Sequence, residues 1–333
     1  MTPAAFDVWS RYVARTQRPI VAGPWRDEVG SEVLYWLPFL AQWQHHYGIP
    51  SKRIVAVSRG GSSAWYGAAK AIELLDYWPQ EVVRLETQRA SATTGSVKQT
   101  RVSALERVLY PTIAARLGLR RYHVLHPQVM YQSLTPWFAG QSSLQATMNQ
   151  LRFGALPVPP IPLDVALPEK FVCVQFYERH TWPFTDEVKD WCGQVVAKLA
   201  EQTPVVVIGS SAHHDDHLNL AFHGPNITSV MDAFSPRESL AQQSAVISKS
   251  SGFVGTYGGT MQLAVRLGKP SAGFFLKWGG TAYAHKVLTE YLATLRQQPC
   301  FIGRPQDGDF IRSVLSQPLE MPVAVGSSSG VTG

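Results

Sequence analysis

Short runs that are apolar throughout recur along the second half of this chain, each followed by a segment with helical spacing. Phe171–Tyr177 (FVCVQFY), Pro204–Gly209 (PVVVIG), Gly252–Thr256 (GFVGT) and Pro270–Phe275 (PSAGFF) are four of them, and Asn226–Val230 is a shorter fifth. A run of this length without polar alternation belongs to a strand covered on both faces. Between the first two, Thr185–Ala200 carries Val188, Trp191, Cys192, Val195, Val196 and Leu199 at helical intervals. Pro236–Lys249, with proline in its first turn, Gly259–Leu267 and Ala284–Leu295 read as further helices. Strands alternating with helices predict a parallel sheet with helices on both faces, an α/β fold.

The first half repeats the theme less sharply. Pro19–Ala22, Arg53–Val57, Val82–Leu85 and Tyr122–Leu125 read as strands. Helices are expected over Ser31–Tyr47, from the SRGGSS turn through Leu75, and over Val102–Leu117. Between the halves, Ala155–Lys170 holds five prolines, which bars a helix interior or a central strand. The expected organisation is two Rossmann-like α/β domains facing a cleft. They occupy residues 1–154 and 171–320, joined by a linker at 155–170 and followed by a small, polar, flexible tail at 321–333.

With 333 residues, 45% hydrophobic and 16% charged, the chain can bury two cores and is neither a disordered nor a coiled-coil sequence. No apolar run approaches the ~18–20 residues of a membrane span, and the N-terminus has no apolar signal core. Cys173, Cys192 and Cys300 are too few and too scattered for a disulfide framework or a zinc site, and a cytoplasmic location is expected. The net charge of +6 is uneven: residues 1–150 hold 16 basic and 9 acidic residues, the remainder 14 and 15. The positive field of the first half suits an anionic partner, or serves only as a solubilising surface.

The segment richest in chemistry is Phe253–Phe275 (FVGTYGGTMQLAVRLGKPSAGFF). A strand ends at Thr256, Gly258 and Gly259 make a turn, and a helix starts near Thr260. Glycines let backbone N–H groups approach a ligand, and a helix N-terminus offers unpaired donors and partial positive charge to a phosphate. Thr256 and Thr260 add hydroxyls. Four other segments stand out. Gly23–Trp36 (GPWRDEVGSEVLYW) places Asp27, Glu28 and Glu32 beside Arg26 at a helix start. Ser58–Tyr66 (SRGGSSAWY) is a strand–Gly–Gly turn that is either structural or an anion site with Arg59 and Gly60. Gln175–Phe184 carries Arg179 and His180 just beyond a strand, on the side of a parallel sheet where ligands bind. Ala212–His217 (AHHDDH) has metal-ligating side chains, but adjacent ones that cannot converge, and reads as a polar loop.

The order Phe253-Val254-Gly255, Gly258-Gly259, Leu263-Ala264, Leu267-Gly268, Pro270 resembles the nucleotide-sugar-binding end of GT-B glycosyltransferases, most closely the heptosyltransferase-like branch. Arg237-Glu238-Ser239-Leu240 and Ala245–Ser250 are similar to the helix that precedes this strand in that group. The resemblance covers about residues 170–295. It implies a donor nucleotide sugar on the second half, held by Arg179, His180, Gly209, Thr256, Gly258, Gly259 and Thr260. It implies a general base in the GPWRDEVG loop, Glu28 or Asp27, with Glu32 one turn on. Arg26, Arg59 and Gly60 fall on the acceptor side. No cofactor or bound metal is implied.

The expected activity is inverting, metal-independent glycosyl transfer from a nucleotide sugar to a hydroxyl of an anionic acceptor. That acceptor is a glycan or a lipid-linked molecule at the inner membrane surface, where the basic stretch Arg84–Arg121 would add attraction. Alternatives are glucosylation of modified bases in duplex DNA, epimerisation of a nucleotide sugar, and a non-catalytic nucleotide- or sugar-binding module. A dinucleotide oxidoreductase is disfavoured, because no G-x-G-x-x-G follows a strand with an acidic residue about 20 positions on.

Overall fold

The computed structural model describes residues 2–68, 70–79, 82, 83, 85, 98–158, 161, 165–209, 218–279 and 281–307. Among the described residues, ten strands form two all-parallel sheets. The first contains β1 (Ile20–Ala22), β2 (Ile54–Ser58), β3 (Lys70–Glu73) and β4 (His123–Leu125), in the order β3-β2-β1-β4. The second contains β5 (Val172–Gln175), β6 (Val205–Val207), β7 (Ile227–Ser229), β8 (Gly252–Thr256), β9 (Ser271–Phe274) and β10 (Cys300–Gly303), in the order β10-β9-β8-β5-β6-β7. Burial of every residue in β1, β2, β6, β8 and β9 is what the unbroken apolar runs required.

The helices are α1 (Pro3–Arg15), α2 (Val29–Ser31), α3 (Leu37–Tyr47), α4 (Ala104–Arg116), α5 (Gln128–Ser133), α6 (Thr135–Phe138), α7 (Leu144–Met148), α8 (Asp186–Ala200), α9 (Ser239–Lys249), α10 (Gly259–Arg266) and α11 (Ala282–Leu295). A π-helical turn, Glu32–Trp36, joins α2 to α3, so the expected Ser31–Tyr47 helix is present with an inserted bulge. Caps follow the sequence: Ser103 and Glu106 make a reciprocal capping box on α4, and Thr185 accepts from Val188 N at the start of α8.

Three expectations are corrected. The helix expected through Leu75 is a 3₁₀ turn (Ser62–Tyr66) followed by β3, because Gly67 takes a left-handed φ of 56° and the chain re-enters the sheet. Val82, Val83 and Leu85 are helical rather than extended. The helix expected from Pro236 begins at Ser239. The AHHDDH segment, most of the basic stretch between 84 and 97, and the tail from 308 lie outside the described residues.

The two sheets are packed together rather than held only by the proline segment. One hydrophobic core runs from Trp25, Trp36 and Leu40 to Val246, Met261 and Leu263. Trp65 Nε1 donates to Ser244 Oγ at 3.1 Å, buried between the halves. Arg237 grips Asp76 across the junction through two bonds of 2.7 Å. Glycines permit the contact at two places. A Cβ on Gly61 would lie 2.7 Å from Ala241 Cβ, and one on Gly259 would lie 3.0 Å from Gly30 N.

Candidate functional site

In an open parallel sheet, ligands gather beyond the strand ends where the strand order reverses. The first sheet reverses between β1 and β4, the second between β5 and β8. The GPWRDEVG loop follows β1, and α5 follows β4 after His126 and Pro127. Arg179 lies in the loop after β5, and Gly258–Gly259 lie after β8. Val29, Gly30 and Gly259 are in contact, so the two switch points face one another.

At the first switch point, Asp27 and Glu28 take different parts. Asp27 is buried; one carboxylate oxygen accepts Glu28 N–H at 2.7 Å and the other accepts the Tyr131 hydroxyl. Its backbone carbonyl accepts Trp25 Nε1 at 3.1 Å and the Arg59 guanidinium. Burial pushes the Asp27 carboxyl above the usual range, against the pull of Lys98. Glu28 occupies the N-cap position of α2 without a side-chain capping bond, and its side chain is 37% exposed. Lys98 Nζ lies 3.0 Å from Glu28 Oε2 and 2.9 Å from Ser31 Oγ. The Lys98 charge, helped by that of Arg179, holds the Glu28 carboxyl well below its ordinary value. Lys98 is itself held charged: burial opposes the charge, and Asp27 with Glu28 more than offsets it.

From the second half, Arg179 extends over the glycine turn. A Cβ on Gly258 would lie 2.5 Å from Arg179 Nη1 and 1.9 Å from the Tyr177 hydroxyl. Arg179 Nη1 makes a long 3.4 Å bond to the Tyr257 carbonyl, and its Nε is buried without a partner. His285 on α11 bonds the Tyr35 hydroxyl through Nδ1 at 2.9 Å and Thr281 through Nε2 at 3.1 Å. Burial, and the nearby Lys98 and Arg179 charges, pull its pKa down to about 3, so the ring is neutral. The crevice therefore gathers two fixed cations, Lys98 and Arg179, a neutral imidazole and one accessible carboxylate at a helix N-terminus.

The remaining sequence candidates fall elsewhere. Glu32 is fully buried; Ser58 and Tyr66 donate to it at 2.7 Å, and Ser62 donates at 3.2 Å. Arg59, also buried, lies 3.8 Å from Glu32 and donates to the Asp27 backbone carbonyl. Arg26 points inward to Glu106 at 3.0 Å, in a cluster with Gln99 and His126. Gly60 does sit in an anion site, but the anion is the chain's own: Glu73 accepts from Gly60 N at 3.1 Å and Gly61 N at 2.8 Å. Thr256 bonds both backbone polar groups of Tyr177, tying β8 to β5. Thr260 is buried one residue into α10, Gly209 packs on Met231, and His180 is exposed beside Gly279.

Tyr131 and His285 carry no signal in the sequence, and Lys98 counts there only as one of the basic residues of Arg84–Arg121. Lys98 follows a Ser/Thr-rich stretch, Tyr131 sits in an unremarkable short helix, and His285 is one histidine of ten, so only the folded contacts reveal them. Among the described residues no group of three or more His, Cys, Asp or Glu could hold a metal, and no helix is long and apolar enough to cross a membrane.

No family model and no curated protein matches the chain. Among solved structures it is similar to E. coli heptosyltransferase WaaC with ADP, at 13% identity and a TM-score of 0.44 over 89% of this chain and 99% of that one. It is also similar to a glycosyl transferase family 9 protein from Veillonella parvula, at 10% identity and a TM-score of 0.47 over 91% and 90%. E. coli ADP-heptose lps heptosyltransferase II follows at 12% identity and 0.38, over 78% and 85%. The pairing of two parallel α/β sheets is read from this chain's own strand order.

Proposed function

We propose that the protein is an inverting, metal-independent glycosyltransferase that uses a nucleoside-diphosphate sugar. The observation that carries the reading is the meeting of the two switch points, with the Glu28–Lys98 pair on one side and Arg179 over the Gly258–Gly259 helix start on the other. The donor diphosphate would lie at the N-terminus of α10, where free N–H groups and the helix dipole favour negative charge. Arg179, whose Nε lacks a partner, would complete its bonds on the phosphate oxygens.

In this reading the acceptor hydroxyl attacks the anomeric carbon from the face opposite the diphosphate. The new C–O bond forms as the bond to the phosphate oxygen breaks, and the nucleoside diphosphate leaves with the electron pair. Glu28 takes the hydroxyl proton. Asp27 is the support: both of its oxygens are engaged, and its backbone carbonyl anchors the loop. Glu28 is a weak base while Lys98 faces it, since the best general base has a pKa near the working pH. An incoming diphosphate competes for Lys98. As the ammonium turns to the phosphates, Glu28 loses the charge that held its pKa down and becomes a better base. Donor binding would thus prepare the proton acceptor, and Lys98 would then stabilise the charge that develops on the leaving group.

The acceptor we infer is an anionic glycan or lipid-linked molecule at a membrane surface, in a cytoplasmic setting, on the strength of the positive balance of residues 1–150. The test is calorimetric titration with ADP, UDP, GDP and dTDP, followed by product analysis with the sugar of the tightest nucleotide. Binding of a nucleoside diphosphate that is lost in Arg179→Ala, and a product of inverted configuration, support the reading. A protein that binds none of them does not work this way.

A further inference from the structure

Away from the crevice, a cavity of about 200 Å³ lies where α3, the start of the proline segment and the end of α10 come together. Leu37, Leu40, Trp65 and Leu156 supply apolar wall; Gln44, Tyr66, the exposed Arg152 and Arg266 supply polar groups. Arg266 is only 3% exposed. Its Nη1 makes a long 3.3 Å bond to the Gly154 carbonyl, its guanidinium stacks on Phe153 at 5.0 Å, and its Nε is buried with no partner. No carboxylate among the described residues lines the cavity. Among the described residues, the charge that acts most on Arg266 is another cation, Arg296, which donates to its backbone carbonyl. Burial, reinforced by Arg296, drags the Arg266 pKa down to about 9.

A buried cation without a counter-charge costs several kcal/mol, and the cost falls when an anion arrives with matching acceptors. Folds normally avoid the situation by pairing the charge, as this chain does for Arg26 with Glu106. At Arg266 the chain leaves both the charge and the space beside it open. An apolar cavity of ~150 Å³ is enough to admit a benzene ring. We propose that this cavity is a binding site for a small amphipathic anion, with its carboxylate or phosphate head on Arg266 and its apolar body against Leu37, Leu40 and Trp65. The occupant touches both sheets' helices and the segment that joins them, so its binding couples to how the halves sit.

The experiment is calorimetric titration of the full chain with benzoate, phenyl phosphate and uncharged benzyl alcohol. At least one of the two anions binds with a Kd below ~1 mM and at least tenfold tighter than the alcohol. Arg266→Met keeps an unbranched apolar stem and removes the charge, and weakens that anion at least tenfold while leaving the alcohol unchanged. Ala41→Phe fills the cavity from α3 with Arg266 intact and abolishes binding, which decides the matter even if Arg266→Met fails to fold. The two anions separate a carboxylate site from a phosphate site. Equal binding of anion and alcohol, full anion affinity in either folded variant, or no anion binding at all overturns the proposal.

Discussion

Lys98 Nζ stands 3.0 Å from Glu28 Oε2, with the lysine side chain 15% exposed and the glutamate 37%. The pair is neither a surface bridge, which would be worth little, nor a sealed one, which could not exchange partners. In the proposed reaction it lies between the diphosphate and the acceptor hydroxyl.

Removing the proton acceptor should separate chemistry from binding. Glu28→Gln is expected to lower kcat by ~10²–10⁴-fold, the usual contribution of a general base. Nucleoside-diphosphate affinity should not fall, because Arg179 is untouched and Lys98, freed from the carboxylate, stays available to the phosphates. Steady-state kinetics beside calorimetry checks this; wild-type turnover removes Glu28 from the chemistry.

Asp27→Asn should act mainly on stability. It weakens two buried bonds, to Tyr131 and to Glu28 N, at a cost of ~1–3 kcal/mol in urea unfolding. Its kcat should fall less than that of Glu28→Gln. If Asp27→Asn is the inactive variant instead, the loop is right and the proton goes to the other carboxylate.

Lys98→Met should reveal the charge exchange. Without the ammonium, the Glu28 carboxyl returns upward toward its ordinary range. The acidic limb of kcat/KM, set below that range in the wild type, should move to higher pH by at least about one unit, while nucleotide affinity falls ~10-fold. A limb that does not move shows that Lys98 does not govern the base.

Glu73 predicts an unusual pH dependence. Burial raises its pKa to about 7 from an ordinary 4.5, against three backbone N–H bonds that favour the charged form. The folded state therefore holds a proton that the unfolded state has lost between those values. Its stabilising effect is complete below about pH 4.5 and disappears as pH rises through 7. Glu73→Gln should flatten the stability profile between pH 5 and 8, as read by thermal unfolding. A wild-type profile that rises across this window from Glu73 would contradict the assignment.

Gly61→Ala should loosen the junction of the halves. The residue has φ of 77°, and an added Cβ meets Ala241 Cβ at 2.7 Å. Strain of ~1–3 kcal/mol is expected. Gly67→Ala, also at positive φ but with open space around its Cβ, should cost less. Equal costs in denaturant unfolding would show that the close approach across the junction carries no weight.

The fold class was readable in the sequence because burial on both faces leaves an unbroken apolar run, as in PVVVIG and GFVGT, and because helical spacing of Val188, Cys192 and Val196 survives without any partner in view. Glycine at 258 and 259 likewise announces a turn, since its conformational freedom is a property of the residue. Local signals of this kind also located the GPWRDEVG and QFYERH loops. They failed at β3 and at residues 82, 83 and 85, where weak local preference was decided by which sheet edge or helix the chain packed against.

What the sequence could not determine is which charge meets which. Arg26, Arg59, Glu32 and Gly60 had the same credentials as Glu28 and Arg179, and the fold spent them on its own interior, against Glu106, Asp27, Ser58 and Glu73. Lys98 reaches Glu28 across 70 positions, and His285 reaches Tyr35 across 250. A charge acts through distance and desolvation, and both exist only once the chain has closed on itself, so residue types and spacing set the candidates and tertiary packing chose among them.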